Sequence, residues 1–189
     1  MLLRIALFLI CTVSGFASGS SNVFAKYPNP CFIETGAFLG DGIHHAIRAG
    51  FEEIYSIELS EHYFQHCRNR YQKKGYVHLL LGDSATVLGE LLNEIDCRCT
   101  FWLDGHYSGG NTAQGKSYTA LMRELMSIKE HFIKDHTILI DDVRLFDTVE
   151  MDFISLSDVV EMIRSINPEY VFAFEDGYVK NDILVAYVP

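Results

Sequence analysis

From residue 31 onward, short apolar runs alternate with longer stretches in which apolar and polar side chains mix at helical spacing. Residues 31–33 (Cys-Phe-Ile) predict a short buried strand, ended by a glycine-rich segment from Glu34 to Gly42. A helix follows over 41–48, with Gly50 as its C-terminal glycine. Residues 53–58 form the second predicted strand, and Ser60 is a good N-cap for a helix carrying Tyr63, Phe64 and Cys67. The basic tail of that helix, Arg68, Arg70, Lys73 and Lys74, complements its macrodipole. Residues 77–81 make the third strand, and Gly82-Asp83-Ser84 leads into a helix through Leu92. Strands at 100–103 and 137–140 flank a helix over 117–132, with Leu121, Leu125 and Ile128 on one face. A last helix spans about 157–166 and stops at Asn167-Pro168. The end reads as a hairpin, 170–174 and 183–188, joined through Asp176-Gly177.

Strand and helix alternating five times predict an α/β, doubly wound, mostly parallel sheet, with the C-terminal hairpin added antiparallel. The strands are apolar throughout because both faces of such a sheet are covered. Residues 1–16 carry one basic residue, Arg4, before an apolar run shorter than the roughly 20 residues of a membrane span. Val23-Phe24-Ala25 then resembles a signal peptidase site. Residues 1–25 are therefore expected to be a signal peptide or hydrophobic N-terminal segment, and 26–189 the folded domain. That implies an exported protein, periplasmic or secreted, with no stable membrane span after processing, and a cytoplasmic one if the signal is not real.

The chain has 189 residues, 49% of them hydrophobic and 21% charged, enough for one globular core. Its net charge of −10 and lack of a strong basic patch argue against nucleic acid or anionic lipid as partner. Of five cysteines, Cys11 would leave with the signal. Cys31, Cys67, Cys97 and Cys99 are read as plain thiols, because Cys97-Arg98-Cys99 lacks the two-residue spacer of zinc and redox motifs. His62 and His66 stand one turn apart with no accompanying Glu and are read as surface residues. Nothing in the sequence fixes an oligomeric state.

In open parallel sheets, ligands bind beyond the carboxyl ends of the strands. The residues standing there are Glu34 with its glycines, Glu58, Asp83, Asp104, and Asp141 with Asp142, all acidic. Such a rim repels phosphate and suits a cationic or hydroxyl-rich ligand. The glycine spacing, Gly36-x-x-x-Gly40-x-Gly42, is neither that of dinucleotide binders nor of a P-loop, which argues against a nicotinamide oxidoreductase. Glu34 can accept from an ammonium group and Glu58 from two ribose hydroxyls; Asp83 can receive an adenine amino group or serve as a helix N-cap.

This ordered set resembles the class I S-adenosylmethionine-dependent methyltransferases over nearly the whole chain from residue 31. Glu34-x-Gly36-x-x-x-Gly40 is similar to the glycine loop of the catechol O-methyltransferase type. The resemblance implies a seven-stranded Rossmann-like sheet. It also implies a cofactor held by Glu34, Gly36 and Gly40 at its methionine end, by Glu58 at the ribose and by Asp83 beside adenine. Leu103-Asp104-Gly105-His106 and Ile140-Asp141-Asp142 resemble the metal-binding positions of macrocin-type sugar O-methyltransferases, which implies Mg²⁺ on Asp104, Asp141 and Asp142. His106 stands where that pattern has a second Asp, and is the candidate base, with Tyr107 nearby. Residues 108–112 read equally as a loop over the site or as a plain connector.

The function expected is Mg-assisted methyl transfer from S-adenosylmethionine to a hydroxyl of a small molecule or sugar. The alternative is an exported methyltransferase-like protein that binds a ligand without transferring a group. It is motivated by a conflict: S-adenosylmethionine is a cytosolic metabolite, and export would separate the domain from it.

Overall fold

The computed structural model describes residues 20–105 and 118–189. Fifteen elements follow in order. They begin with α1 (Ser20–Lys26), β1 (Cys31–Thr35), α2 (Asp41–Ala49), β2 (Glu53–Glu58), α3 (Glu61–Tyr71), β3 (Val77–Leu81) and α4 (Ser84–Leu92). After these come β4 (Cys99–Leu103), α5 (Leu121–Glu130) and β5 (Thr137–Ile140). Two 3-10 turns (Val143–Leu145 and Val149–Met151) precede α6 (Leu156–Ile166), β6 (Val171–Glu175) and β7 (Ile183–Tyr187).

The sheet has seven strands in the order β3-β2-β1-β4-β5-β7-β6. Strands β3 to β5 in that order are parallel; β7 runs antiparallel to both β5 and β6. This is the expected doubly wound sheet with its terminal hairpin. The central strands β1, β4 and β5 are buried at every residue, which is why they read as unbroken apolar runs, while β3 and β6 at the edges are half-exposed. Side chains alternate between two cores. One face packs Phe101, Ile138 and Leu103 against Leu88, Leu125, Ile128 and Ile163 of α4, α5 and α6. The other packs Phe32, Ile54, Trp102 and Leu139 against Phe24, Ile43, Ala46 and Cys67 of α1, α2 and α3.

Helix boundaries follow local chemistry. Gly50 closes α2 in the left-handed conformation (φ 91°). A reciprocal Ser155–Asp158 capping box opens α6. Helix α5 begins at Leu121, later than periodicity alone predicts. The first 19 residues, and with them the apolar run and Cys11, lie outside the described residues. The domain boundary expected after Ala25 falls inside α1, where Phe24 is fully buried, 4.8 Å from the Phe32 ring and 5.1 Å from that of Trp102. Among the described residues no helix is long and apolar enough to cross a membrane.

The reading of all four downstream cysteines as plain thiols is corrected. Cys31 and Cys97 form a disulfide, while Cys67 and Cys99 are buried thiols. Local spacing relates Cys97 only to Cys99, whereas parallel pairing of β1 with β4 brings in Cys31 from 66 residues away.

Candidate functional site

The sheet changes winding direction between β1 and β4, and the crevice at such a switch point is where open α/β sheets bind ligands. Register puts Thr35 beside Leu103, so the glycine loop leaving β1 and the Asp104 turn leaving β4 emerge together. Their closeness explains two glycines. At Gly36 (φ 83°) a Cβ would stand 2.7 Å from the Asp104 carbonyl oxygen, and at Gly42 one would stand 1.8 Å from Glu34 Oε1. Any side chain there would force the loop off β4 or push Glu34 aside. Gly40 also needs the left-handed region (φ 83°), and its carbonyl accepts from the Tyr71 hydroxyl at 2.6 Å.

Glu34 is 1% exposed at the floor of a pocket shared with Gly36, Phe38, His45, Trp102 and Asp104. Ser56 Oγ donates to its Oε2 at 2.5 Å. Burial, outweighing that bond and reinforced by the negative charge of Asp104, Glu58 and Asp41, pushes its carboxyl up to about 8. A cation entering the pocket would reverse that penalty. His45 faces the same space, and its Nδ1 is buried without a hydrogen-bond partner; burial, then neighbouring His44, hold the imidazole below its ordinary value. An unmet buried nitrogen costs about 1–3 kcal/mol, which a polar ligand would recover.

Glu58, at the end of β2, accepts from the Phe38 N–H (Oε2, 2.9 Å) and the Ser60 N–H (Oε1, 2.7 Å), and so ties the glycine loop to β2. Each oxygen keeps a further lone pair for a donor. Asp83 caps α4, its Oδ1 accepting from the Ala85 N–H at 3.0 Å, which is the helix-cap role weighed for it. Arg70 does more than complement a dipole: it pairs with Asp41 (3.2 Å) and donates to the Leu39 carbonyl (2.6 Å), bracing the glycine loop.

A second group of acids continues the crevice. Carboxylate oxygens of Asp141, Asp142 and Asp182 lie within 4.8 Å of one another. The Asp141 carboxyl is pushed up to about 8 by burial first, then by the charges of Asp104 and Asp142, although its Oδ1 accepts from the Asp142 N–H at 2.8 Å. Arg144 pairs with both Asp142 and Asp182 and lies 4.9 Å from the centre of the Tyr178 ring. Asp142 itself adopts φ 59°, which turns the backbone sharply after β5. The donor set suits a hard cation such as Mg²⁺: oxygen ligands only, from adjacent strand ends, with Asp141 driven toward the neutral form by burial and then by like charge. Asp104, expected as a ligand, is not part of that close group, in which Asp182 stands instead, and Arg144 already pairs with Asp142 and Asp182.

The structure thus gathers Glu34, Gly36 and Asp104 around one pocket, with Asp141 and Asp142 alongside and Glu58 and Asp83 at the ends of the next two strands. His106, Tyr107 and the 108–112 loop lie outside the described residues. Sequence reasoning missed three residues. His45 sits one turn into α2, behind the glycine loop. Glu124 is 1% exposed, accepts from Ser84 Oγ at 2.6 Å, and is pushed up to about 7 by burial. The signal was its place within the apolar stripe Leu121, Leu125, Ile128 of α5. Asp182 precedes a strand rather than following one. Because β7 is antiparallel, its beginning lies at the carboxyl end of β5, and the Asp182 carbonyl accepts from the Val143 N–H at 2.9 Å.

No protein-family model matches this chain, and no curated protein does. Solved structures do. An O-methyltransferase from Bacillus cereus in complex with SAH is 13% identical with a TM-score of 0.60, over 90% of this chain and 79% of that one. The SAH-bound Podospora anserina methyltransferase PaMTH1 is 12% identical with a TM-score of 0.60, over 90% and 76%. A Clostridium thermocellum protein named as an rRNA methylase is 12% identical with a TM-score of 0.62, over 93% and 97%. At these identities the likeness establishes the fold, that of the class I methyltransferases.

Proposed function

We propose, with that fold as premise, that this chain is an S-adenosylmethionine-dependent, Mg-assisted O-methyltransferase acting on a hydroxyl of a small molecule or sugar. The observation that carries this reading is the pairing of Glu34 and Asp104 on one pocket at the switch point, beside the Asp141–Asp142 acids. In this reading the residues at the end of β1 would hold the amino-acid end of the cofactor. The buried Glu34 carboxylate would accept from its ammonium, and the unpartnered His45 nitrogen would meet its carboxylate. Glu58 accepts from the ribose hydroxyls, and Asp83, fixed as the cap of α4, borders adenine. Gly36 and Gly40 let the ligand approach the backbone.

When bound, S-adenosylmethionine supplies the sulfonium methyl. Asp104, Asp141 and Asp142 would hold Mg²⁺, which would lower the pKa of the acceptor hydroxyl and fix its oxygen. His106, two residues beyond Asp104, takes the hydroxyl proton. The acidic surface favours an uncharged or cationic acceptor over nucleic acid.

Calorimetry with S-adenosylhomocysteine, paired with the fluorescence of Trp102, the single tryptophan and a wall of the pocket, tests cofactor binding. Asp141→Ala is expected to abolish release of S-adenosylhomocysteine from reactions with hydroxyl acceptors while cofactor binding persists. Full activity in that variant contradicts the metal-assisted mechanism; absence of any binding contradicts the cofactor.

One observation favours the second reading, an exported ligand-binding protein without transfer activity. The Cys31–Cys97 disulfide belongs to an oxidising compartment, in line with the apolar N-terminal segment. Binding of S-adenosylhomocysteine by a protein recovered only outside the cytoplasm, with no turnover, supports that alternative.

A further inference from the structure

At the end of the sheet opposite the acidic crevice, three sulfurs converge. Cys31 and Cys99 open β1 and β4 and are register partners, so their side chains leave neighbouring strands side by side into one buried cluster. Cys97 stands two residues earlier, in the turn that enters β4, and is only partly buried. One sulfur from each lies within 4.8 Å of the other two. A cross-link needs two of them, and Cys31 with Cys97 provides it; Cys99, 0% exposed, remains a thiol at its side.

We infer that Cys31, Cys97 and Cys99 form a three-thiolate site for a single Cu⁺ ion, closed when Cys31 and Cys97 are oxidised to their disulfide and opened when that bond is reduced.

Three features support it. A metal–sulfur distance of about 2.3 Å puts three trigonal sulfurs about 4 Å apart; Cys99 already lies within 4.8 Å of both partners, and Cys31 and Cys97 need only part to that spacing once their bond is reduced. The backbone beneath the sulfurs is held from two sides. The Cys99 N–H donates to His136 Nδ1 (3.0 Å), and Asn29 Nδ2 donates to the Cys99 carbonyl (3.3 Å). Supporting bonds of this kind hold metal ligands in place. The nearby imidazoles are already committed. With Nδ1 of His136 accepting from Cys99, its Nε2–H donates to His131 Nδ1 (2.8 Å), and His131 Nε2–H donates to the Ile95 carbonyl (2.9 Å). Among the described residues neither His131 nor His136 has a ring nitrogen left to complete a tetrahedral zinc site, whereas three soft thiolates suit Cu⁺. Partly buried Cys97 provides the way in.

The steps balance. A low-molecular-weight dithiol gives two electrons and two protons to the disulfide, yielding the Cys31 and Cys97 thiols and its own cyclic disulfide. Cu⁺ then replaces three S–H protons, which leave to solvent. The site lies about 10 Å along β1 from Glu34 and is independent of the methyltransferase reading.

The test uses the full chain, reduced with excess dithiol, freed of reductant without oxygen, and titrated with Cu⁺ held by bicinchoninate. One Cu⁺ per chain is expected to transfer from the chelator. Of the five thiols of the reduced chain, Cys31, Cys97 and Cys99 are expected to be taken up by copper and Cys11 and Cys67 to be left, and a thiolate-to-copper absorption band appears. Cys97→Ser at the half-buried position and Cys99→Ala in the core should each weaken binding about tenfold or more, with circular dichroism confirming the fold; Cys67→Ser should bind as the parent does. The oxidised chain should take up none. No transfer to the reduced chain, or uptake unchanged in both Cys97→Ser and Cys99→Ala, overturns the site.

Discussion

Replacing Glu34 by Gln separates a residue retained for ligand binding from one retained for stability. Its carboxyl is raised from 4.5 to about 8 in the fold, with burial as the main cause. In the unfolded chain the group ionises above about pH 4.5, while the folded chain still holds the proton. Stability therefore declines as pH rises from about 4.5 to 8, and is level beyond. At about 1.4 kcal/mol per pH unit the penalty is about 3 kcal/mol at pH 7 and about 5 kcal/mol above pH 8. Gln keeps the shape and can accept from Ser56 Oγ but never ionises. Glu34→Gln should thus melt higher than the parent at pH 7, by about 6–12 °C for a chain of this size, and equally at pH 4.5. The same variant should bind S-adenosylhomocysteine about 10- to 100-fold more weakly, the worth of one charge-assisted hydrogen bond. Melting curves from pH 4.5 to 8.5 and one calorimetric titration decide it. Parallel pH profiles for the two proteins, or a variant that loses stability at pH 7 and keeps full affinity, would refute the reasoning.

Other outcomes follow from the same geometry. Cys97→Ser opens a loop of 66 residues, worth about 4 kcal/mol in the chain-entropy account, and should lower Tm by about 8–16 °C under non-reducing conditions. Unfolded without reductant, the full chain should show three reactive thiols of its five cysteines; five would disprove the cross-link. His136 is held down to about 3 by burial, so its share of stability, complete above pH 6.5, is lost as pH falls from 6.5 toward 3 at about 1.4 kcal/mol per unit. Subtracting the profile of His136→Phe from that of the parent should expose that slope, and a flat difference would contradict it. A chain beginning at Lys26 lacks buried Val23 and Phe24 and should be less stable by roughly 3–5 kcal/mol, measured by urea denaturation.

The sequence by itself determined the sheet and most of the crevice. Apolar runs at fixed spacing mark strands buried on both faces, and β2, β3 and β5 have the residues predicted for them. Because parallel strands all point the same way, residues following them had to share one end of the molecule. Topology alone therefore puts Glu34, Glu58, Asp83, Asp104, Asp141 and Asp142 at that end. What only the tertiary structure decided depends on direction and distance across the chain. Asp182 enters the crevice because β7 is reversed, so the residue before it meets the residues after β5. Arg144 neutralises Asp142 and Asp182 only because a turn at φ 59° brings it back over them. Cys31 meets Cys97 and Cys99 through the pairing of two strands far apart in the chain, and local spacing carries no trace of such a meeting. Glu34 and Asp141 owe their raised pKa values to burial and surrounding charge, properties of the enclosed space and not of the residue.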